Sequence, residues 1–372
     1  MTRIRADFPA LSSGTAFFDG PGGSQTPRRV GEAIRDAMAQ PLSNRGRTTE
    51  AERNADDIVV AARQAAADLL GAEPAGVVFG RSMTALTYQF SAALAKGWGR
   101  GDEVVVSRLD HDANVRPWIQ AAEAAGATVR WADFDPATGE LGADDVAAVL
   151  TERTRLVAIT GASNLIGTRP PLPEIGRVVH DAGALLAVDG VHLTAHAFID
   201  VADMGADFFV CSPYKFLGPH CGVLAAAPTL LETVRSDKLL PATDAVPERF
   251  EQGTLPYELL AGTTAAIDVL AGLDDEASGN RRDRLRASYD ALEHHEDALR
   301  NIIESGLEEL PGVTVHSRAR HRTPTLLVTF DGRDAADAYT FLAERNVNAP
   351  AGSFYALEPS RRLGLGEDGG LR

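Results

Sequence analysis

The stretch CSPYKFLGPHCGVL (211–224) brings three groups capable of covalent chemistry together: the thiols of Cys211 and Cys221 and the amine of Lys215. Lys215 follows the apolar run ADFFVCS and precedes FLG, so its stem is expected to be confined. A partly desolvated amine has a lowered pKa and can form a Schiff base with a carbonyl. Cys211 lies inside the apolar run and reads as a small core residue. Cys221, between His220 and Gly222, reads as packed, although a neighbouring histidine can activate a thiol. Asp189 ends another apolar run, ALLAVD, 26 residues before the lysine. A partly buried carboxylate normally has a partner. A helix cap, an arginine or a protonated heterocyclic nitrogen would each serve, and His192 stands close enough in sequence to bond the same ligand.

Other polar residues also follow apolar runs: Arg81-Ser82-Met83-Thr84, Asp110-His111, Ser163-Asn164 and Ser212. In an open parallel sheet, ligands bind at the carboxyl ends of the strands. All these residues should therefore face one edge, where a single small anionic aromatic ligand could touch each of them. The turn RSMTAL opens a helix, and its free N–H groups with the Ser82 and Thr84 hydroxyls make either an anion seat or a plain N-cap.

The elements that must position these groups alternate. Seven apolar segments of strand length (76–80, 102–107, 128–134, 155–161, 184–190, 206–212 and 222–227) are separated by helical patterns at 83–98, 114–127 and 172–184. Two more helical patterns, 27–40 and 49–71, precede them and frame the loop PLSNRGRTT. Strands that are apolar throughout and separated by helices predict an α/β fold: a mostly parallel seven-stranded sheet covered by helices. Helical patterns at 256–273 and 280–309, strands at 313–317 and 323–330 and a helix at 334–346 predict a smaller C-terminal α+β unit. The expected division is 1–270 and 271–372, with residues 1–16 packing on the small unit.

Bulk composition narrows the function. The chain has 372 residues, 44% of them hydrophobic, enough for two domains. A net charge of −16 and a pI near 5.0 disfavour nucleic acid as a partner. No apolar run is long enough to cross a bilayer, and MTRIRADFPAL lacks the apolar core of a signal peptide. Two cysteines exclude a disulfide framework, so a cytoplasmic protein is expected. Neither a phosphate-binding P-loop nor a strand-linked dinucleotide fingerprint occurs, and no metal site is expected.

The order of these motifs resembles fold-type I pyridoxal phosphate enzymes, within them the class V aminotransferase group, especially cysteine desulfurases and selenocysteine lyases. The resemblance runs from FFDGPGGSQTP (17–27) to about residue 273 and weakly into ALEPSRRLGLGEDGGLR. LDHDANVRPW resembles E-H-H-A-N-x-x-P-W, which implies that His111 stacks on the cofactor ring. FGRSMTAL resembles R-G-T-T-E and implies Ser82, Met83 and Thr84 around the phosphate. GASNLIGT implies Asn164 at the phenolic oxygen. VDGVH resembles V-D-G-A-Q and implies Asp189 at the pyridinium, with His192 replacing a glutamine. CSPYK resembles S-x-H-K and implies Lys215 as the Schiff-base lysine and Ser212 as a phosphate ligand, with Tyr214 for the histidine. RFEQGTLP implies that Gly253 and Thr254 reach a partner subunit's phosphate, hence a homodimer with shared sites. Gly22, Gly23, Asn44, Arg45 and Arg372 fall on the substrate side. The resemblance implies Lys215, His111 and Asp189 as catalytic and pyridoxal 5′-phosphate as cofactor, in an enzyme acting at the Cα of a small amino acid.

Two departures qualify the resemblance. A desulfurase takes sulfur on a mobile C-terminal cysteine, yet the corresponding stretch reads NAPAGSFYALEPS and no cysteine follows Cys221. The expectation is a C–S or C–Se lyase without a protein persulfide; a class V aminotransferase, an epimerase and a catalytically idle cofactor-binding relative are the alternatives. The arginine expected to clamp the substrate carboxylate matches Arg372, the last residue. The expectation is a truncated tail, a poorly held Arg372 and a small unit lacking an edge, with Arg45, Arg47 and Arg320 as solvated arginines also to consider.

Overall fold

The structure is a computed structural model that describes residues 2–372. Seven strands build its central sheet: β2 (Val77–Gly80), β3 (Glu103–Ser107), β4 (Thr128–Ala132), β5 (Thr154–Thr160), β6 (Leu185–Asp189), β7 (Phe208–Cys211) and β8 (Gly222–Ala225). A short β1 (Ala16–Phe17) precedes them. The spatial order is β2-β8-β7-β6-β5-β3-β4, with every neighbouring pair parallel except those of β8. All seven expected strands are present.

Side-chain alternation divides the core in two, because successive residues of a strand point to opposite faces. Val77, Phe79, Val105, Val157, Ile159, Leu186 and Val188 join one hydrophobic cluster. Val78, Val104, Val106, Leu156, Ala158 and Ala187 join the other. Both faces are sealed, so the strands read as continuous apolar runs. The first face packs under α3 (Glu50–Leu70), α7 (Leu172–Asp181) and α9 (Tyr257–Leu270), and the second under α4 (Met83–Ala95) and α5 (Arg116–Ala125). The helices between and before these are α1 (Thr2–Ala6), α2 (Arg28–Ala39), α6 (Ala143–Ala147) and α8 (Pro228–Thr233). The long α3 starts where the sequence signals it. Thr49 and Glu52 form a capping box, and Gly71 closes the other end in the left-handed region at φ 68°.

Beyond α10 (Arg281–Glu308), a four-stranded antiparallel sheet has the order β12-β13-β10-β9. It comprises β9 (Val313–Val315), β10 (Val328–Phe330), β12 (Ala351–Gly352) and β13 (Gly370–Leu371). A separate strand, β11 (Val347–Asn348), pairs in parallel with β1. The strand expected over 323–330 is confined to 328–330, because Thr323 and Thr325 turn their hydroxyls onto His192 instead. No helix among the described residues is long and apolar enough to cross a membrane.

Candidate active site

β2, β3, β5, β6 and β7 all run the same way, so their carboxyl ends share one edge, where the antiparallel β8 begins. A cavity of about 360 Å³ opens there. Its walls hold Ser82, Met83 and Thr84 after β2, His111 after β3, Asn164 after β5, Asp189 and His192 at the end of β6, and Ser212, Tyr214 and Lys215 after β7. Gly22 comes from the loop after β1, and Arg372 from the end of β13.

Asp189 is 4% exposed. One carboxylate oxygen accepts from Val191 N at 2.9 Å, and no cation is paired with the group among the described residues. Burial with only this one donor raises its pKa to about 6. A charge so placed needs a partner. Gly190, next in sequence, has no room for a side chain: a Cβ there would lie 1.9 Å from the Phe209 ring.

The Lys215 amine donates to Pro21 O and lies 4.6 Å from the centre of the Tyr214 ring. Burial, and then the charge of Arg372, lowers its pKa to about 8 against a smaller opposing pull from Asp189. Ser212 is buried on the same turn. Both cysteines are buried. Burial raises the pKa of Cys221 to about 11 and that of Cys211 higher still, so neither is a thiolate near neutrality.

His111 Nδ1 accepts from Ala113 N at 3.0 Å, which leaves Nε2 to carry the proton. Burial, with Lys215 and Arg372 nearby, lowers its pKa to about 4, so the ring is neutral at pH 7. Behind it, Asp110 bonds to Ser107 and accepts from Asn114 Nδ2 at 2.7 Å, while Trp118 Nε1 donates to Asn114 at 2.9 Å. This buried network fixes the turn that carries His111.

Ser82 caps α4, its Oγ accepting from Ala85 N at 3.1 Å. The cap reading therefore holds for the Ser82 side chain. The N–H groups of Met83 and Thr84 have no intrahelical acceptor by geometry, and both residues line the cavity. Gly222 lets this helix end approach β8, since a Cβ would lie 2.3 Å from the Ser82 carbonyl carbon. Asn164 Nδ2 donates to Phe354 O at 3.0 Å, and its Oδ1 is buried without a partner.

His192 lines the cavity beside Asp189, as expected from its place in sequence. Its Nε2 is engaged by Thr325 Oγ1 at 2.8 Å and Thr323 Oγ1 at 3.0 Å, so that nitrogen ties the sheet to the C-terminal unit. Arg372 corrects an expectation. It is 8% exposed, its backbone N donates to Pro350 O at 2.9 Å and its Nη1 donates to Asn164 O at 3.0 Å. Leu371 pairs with both Val328 and Ala351, so β13 is an interior strand and the arginine is firmly held.

Gly23, Asn44, Arg45, Gly253 and Thr254 do not line this cavity. Gly23 lines an adjoining chamber. The Arg45 guanidinium is taken by Asp56 and Glu248 at 2.9 and 3.1 Å, and Asn44, Gly253 and Thr254 are exposed. Sequence reading missed Pro21, Phe354 and Tyr355. The last two line the mouth with left-handed backbone at φ 54° and 57°, in a loop without periodicity. Their only signal is SFY, a polar-aromatic cluster beside the expected cysteine position.

Known proteins share this architecture. An uncharacterized protein of Mycobacterium tuberculosis is 32% identical over 88% of this chain and 82% of its own. The cysteine desulfurase of Dickeya dadantii is 30% identical over 98% of this chain and 89% of its own. The crystal structure of the Escherichia coli cysteine desulfurase CsdA superposes with a TM-score of 0.87 at 28% identity, covering 100% of this chain and 92% of that one. The sequence model described as Aminotransferase class-V matches residues 16–372, nearly the whole fold that assembles the cavity, and the chain belongs to that family.

Proposed function

We propose that the chain is a pyridoxal 5′-phosphate-dependent enzyme acting at the Cα of an amino acid, as a C–S or C–Se lyase that works without a protein thiol. One observation carries the cofactor reading: a buried, unpaired Asp189 carboxylate shares a cavity with the desolvated Lys215 amine. The residues fit the group. Asp189 would meet a ring N–H, Lys215 the aldehyde carbon, His111 a ring face, and the α4 N-terminus with Ser212 the phosphate. Bound there, the cofactor supplies an electron sink for charge developing at Cα.

The chain's own residues do the rest. Arg372 would orient the substrate α-carboxylate, and a guanidinium fixed by stacking and a carbonyl loses little freedom in doing so. The Lys215 amine, neutral above about pH 8, is the base available to take the Cα proton and return it. Asp189 would hold a proton on the ring nitrogen. The neutral His111 provides a flat face without adding charge. The lyase reading is supported by the 30% identical desulfurase together with a cavity mouth that carries Phe354 and Tyr355 rather than a thiol.

The test begins with cofactor addition to the dialysed protein. A visible absorption band and a borohydride-trapped adduct on Lys215 are expected; absence of both overturns the reading. Incubation with amino acids in deuterated water should then show Cα–H exchange, whereas none with any substrate identifies an idle binder. Sulfide or selenide release marks a lyase, transfer to a keto acid an aminotransferase, and loss of optical activity alone an epimerase.

A further inference from the structure

The candidate cavity does not end at Arg372. A second chamber of about 540 Å³ adjoins it and shares Gly22, Tyr214, Phe354 and Arg372 as common walls. Its floor is apolar, with Val30, Ile34 and Pro350. The Tyr214 ring, stacked on His220 at 4.6 Å, forms one side. The Ser24 hydroxyl is already used, donating to Tyr214 O at 3.1 Å and accepting from Leu217 N at 2.7 Å.

Asp19 is the anionic group of this chamber. Its Oδ1 is sealed from solvent and has no hydrogen-bond partner, and its side chain does not cap the short helical turn that follows. Arg372, also on the chamber wall, has a buried Nε without a partner. The two charges feel each other but form no ion pair. A carboxylate oxygen removed from water without a donor is costly unless something supplies one.

We propose that the substrate's side chain crosses from the first cavity into this second chamber and ends in a positively charged group held by Asp19. The inference rests on the amino-acid substrate of the proposed function and names its class. With its α-carboxylate on Arg372, a substrate would place an extended side chain past Tyr214 and Phe354, which line both chambers. One molecule would then meet Arg372 at one end and Asp19 at the other, both of which line the chamber. A tail of cysteine size would leave Asp19 unmet.

The experiment titrates the cofactor-loaded protein by calorimetry with two probes of matched shape, S-(2-aminoethyl)-L-cysteine and S-propyl-L-cysteine. The cationic probe should bind at least roughly tenfold more tightly, the size expected when a buried carboxylate gains a charged donor. Asp19→Asn should abolish that preference and leave the S-propyl probe unchanged. Equal affinities in the unaltered protein overturn the inference. So does an equal loss for both probes in Asp19→Asn, which would mean that Asp19 serves only to orient Arg372. Should Asp19→Asn fail to take up cofactor, Asp19→Glu is measured instead; it should keep a preference, and losing it overturns the inference. Failure of the unaltered protein to take up cofactor at all overturns the parent reading, a result distinct from cofactor-loaded protein that shows no preference.

Discussion

The guanidinium of Arg372 lies 3.6 Å from the centre of the Phe354 ring, with one Nη bonded to the backbone of Asn164. A planar cation sandwiched in this way has one productive orientation. Arg372→Lys keeps the charge but loses the fork and the stacking. On the proposed reading, KM for the amino-acid substrate rises roughly 10–100-fold with a smaller change in kcat. Steady-state kinetics checks this, and an unchanged KM would remove Arg372 from substrate binding.

Lys215 gives a pH dependence. Its pKa is lowered to about 8 by burial, and only the neutral amine is nucleophilic. The rate at which empty protein captures pyridoxal phosphate should therefore climb with pH and level off above about 8. Stopped-flow absorbance follows it. A midpoint near the ordinary lysine value of about 10.4 would show that the amine is not desolvated. Lys215→Ala should lose the trapped adduct entirely.

Asp189 predicts an effect on stability with a definite sign. Its folded pKa is raised to about 6, above the ordinary carboxylate value of 3.8, so ionisation costs the folded state. In cofactor-free protein, stability falls as pH rises from about 4 to 6, because the folded state releases its proton later than the unfolded chain. Asp189→Asn removes that cost. It should stabilise empty protein at pH 7 by on the order of 1–3 kcal/mol, with the gain vanishing below about pH 4. Turnover should fall at least about a hundredfold through loss of ring-nitrogen protonation. Thermal melts at both pH values, beside the activity assay, test the two signs.

Gly222 gives a packing prediction. A methyl group there would overlap the Ser82–Met83 backbone, with 2.3 Å to the Ser82 carbonyl carbon and 2.6 Å to Met83 N. Gly222→Ala must push back the α4 N-terminus, destabilising the protein by about 1–3 kcal/mol. Affinity for pyridoxal phosphate should drop while that for pyridoxal, which lacks the phosphate, stays level. Equal losses for both would place the phosphate elsewhere.

What could be read from the sequence followed from burial. The central strands are sealed on both faces, so each left an uninterrupted apolar run, and the residues after them could be named as cavity candidates. The C-terminal unit was harder. Thr323 and Thr325 have strand-forming side chains, yet their hydroxyls are committed to His192, and the strand starts only at Val328. β12 and β13 are two residues each, too short for any period. Arg372 looked loose because neither strand was visible. Pro21 contributes a carbonyl, and no side-chain pattern reports where a carbonyl points.

The cavity draws its walls from positions as far apart as Pro21 and Arg372, with the sheet ends between them. A chain still emerging during synthesis therefore has no finished pocket, even once its central sheet has formed. Contacts of such long sequence separation form late. An aldehyde-bearing small molecule meeting the half-made protein would find a lysine without its proline carbonyl or its arginine neighbour. On the proposed reading, tight capture is thus deferred until folding is complete, and cofactor retention would be a readout of finished folding.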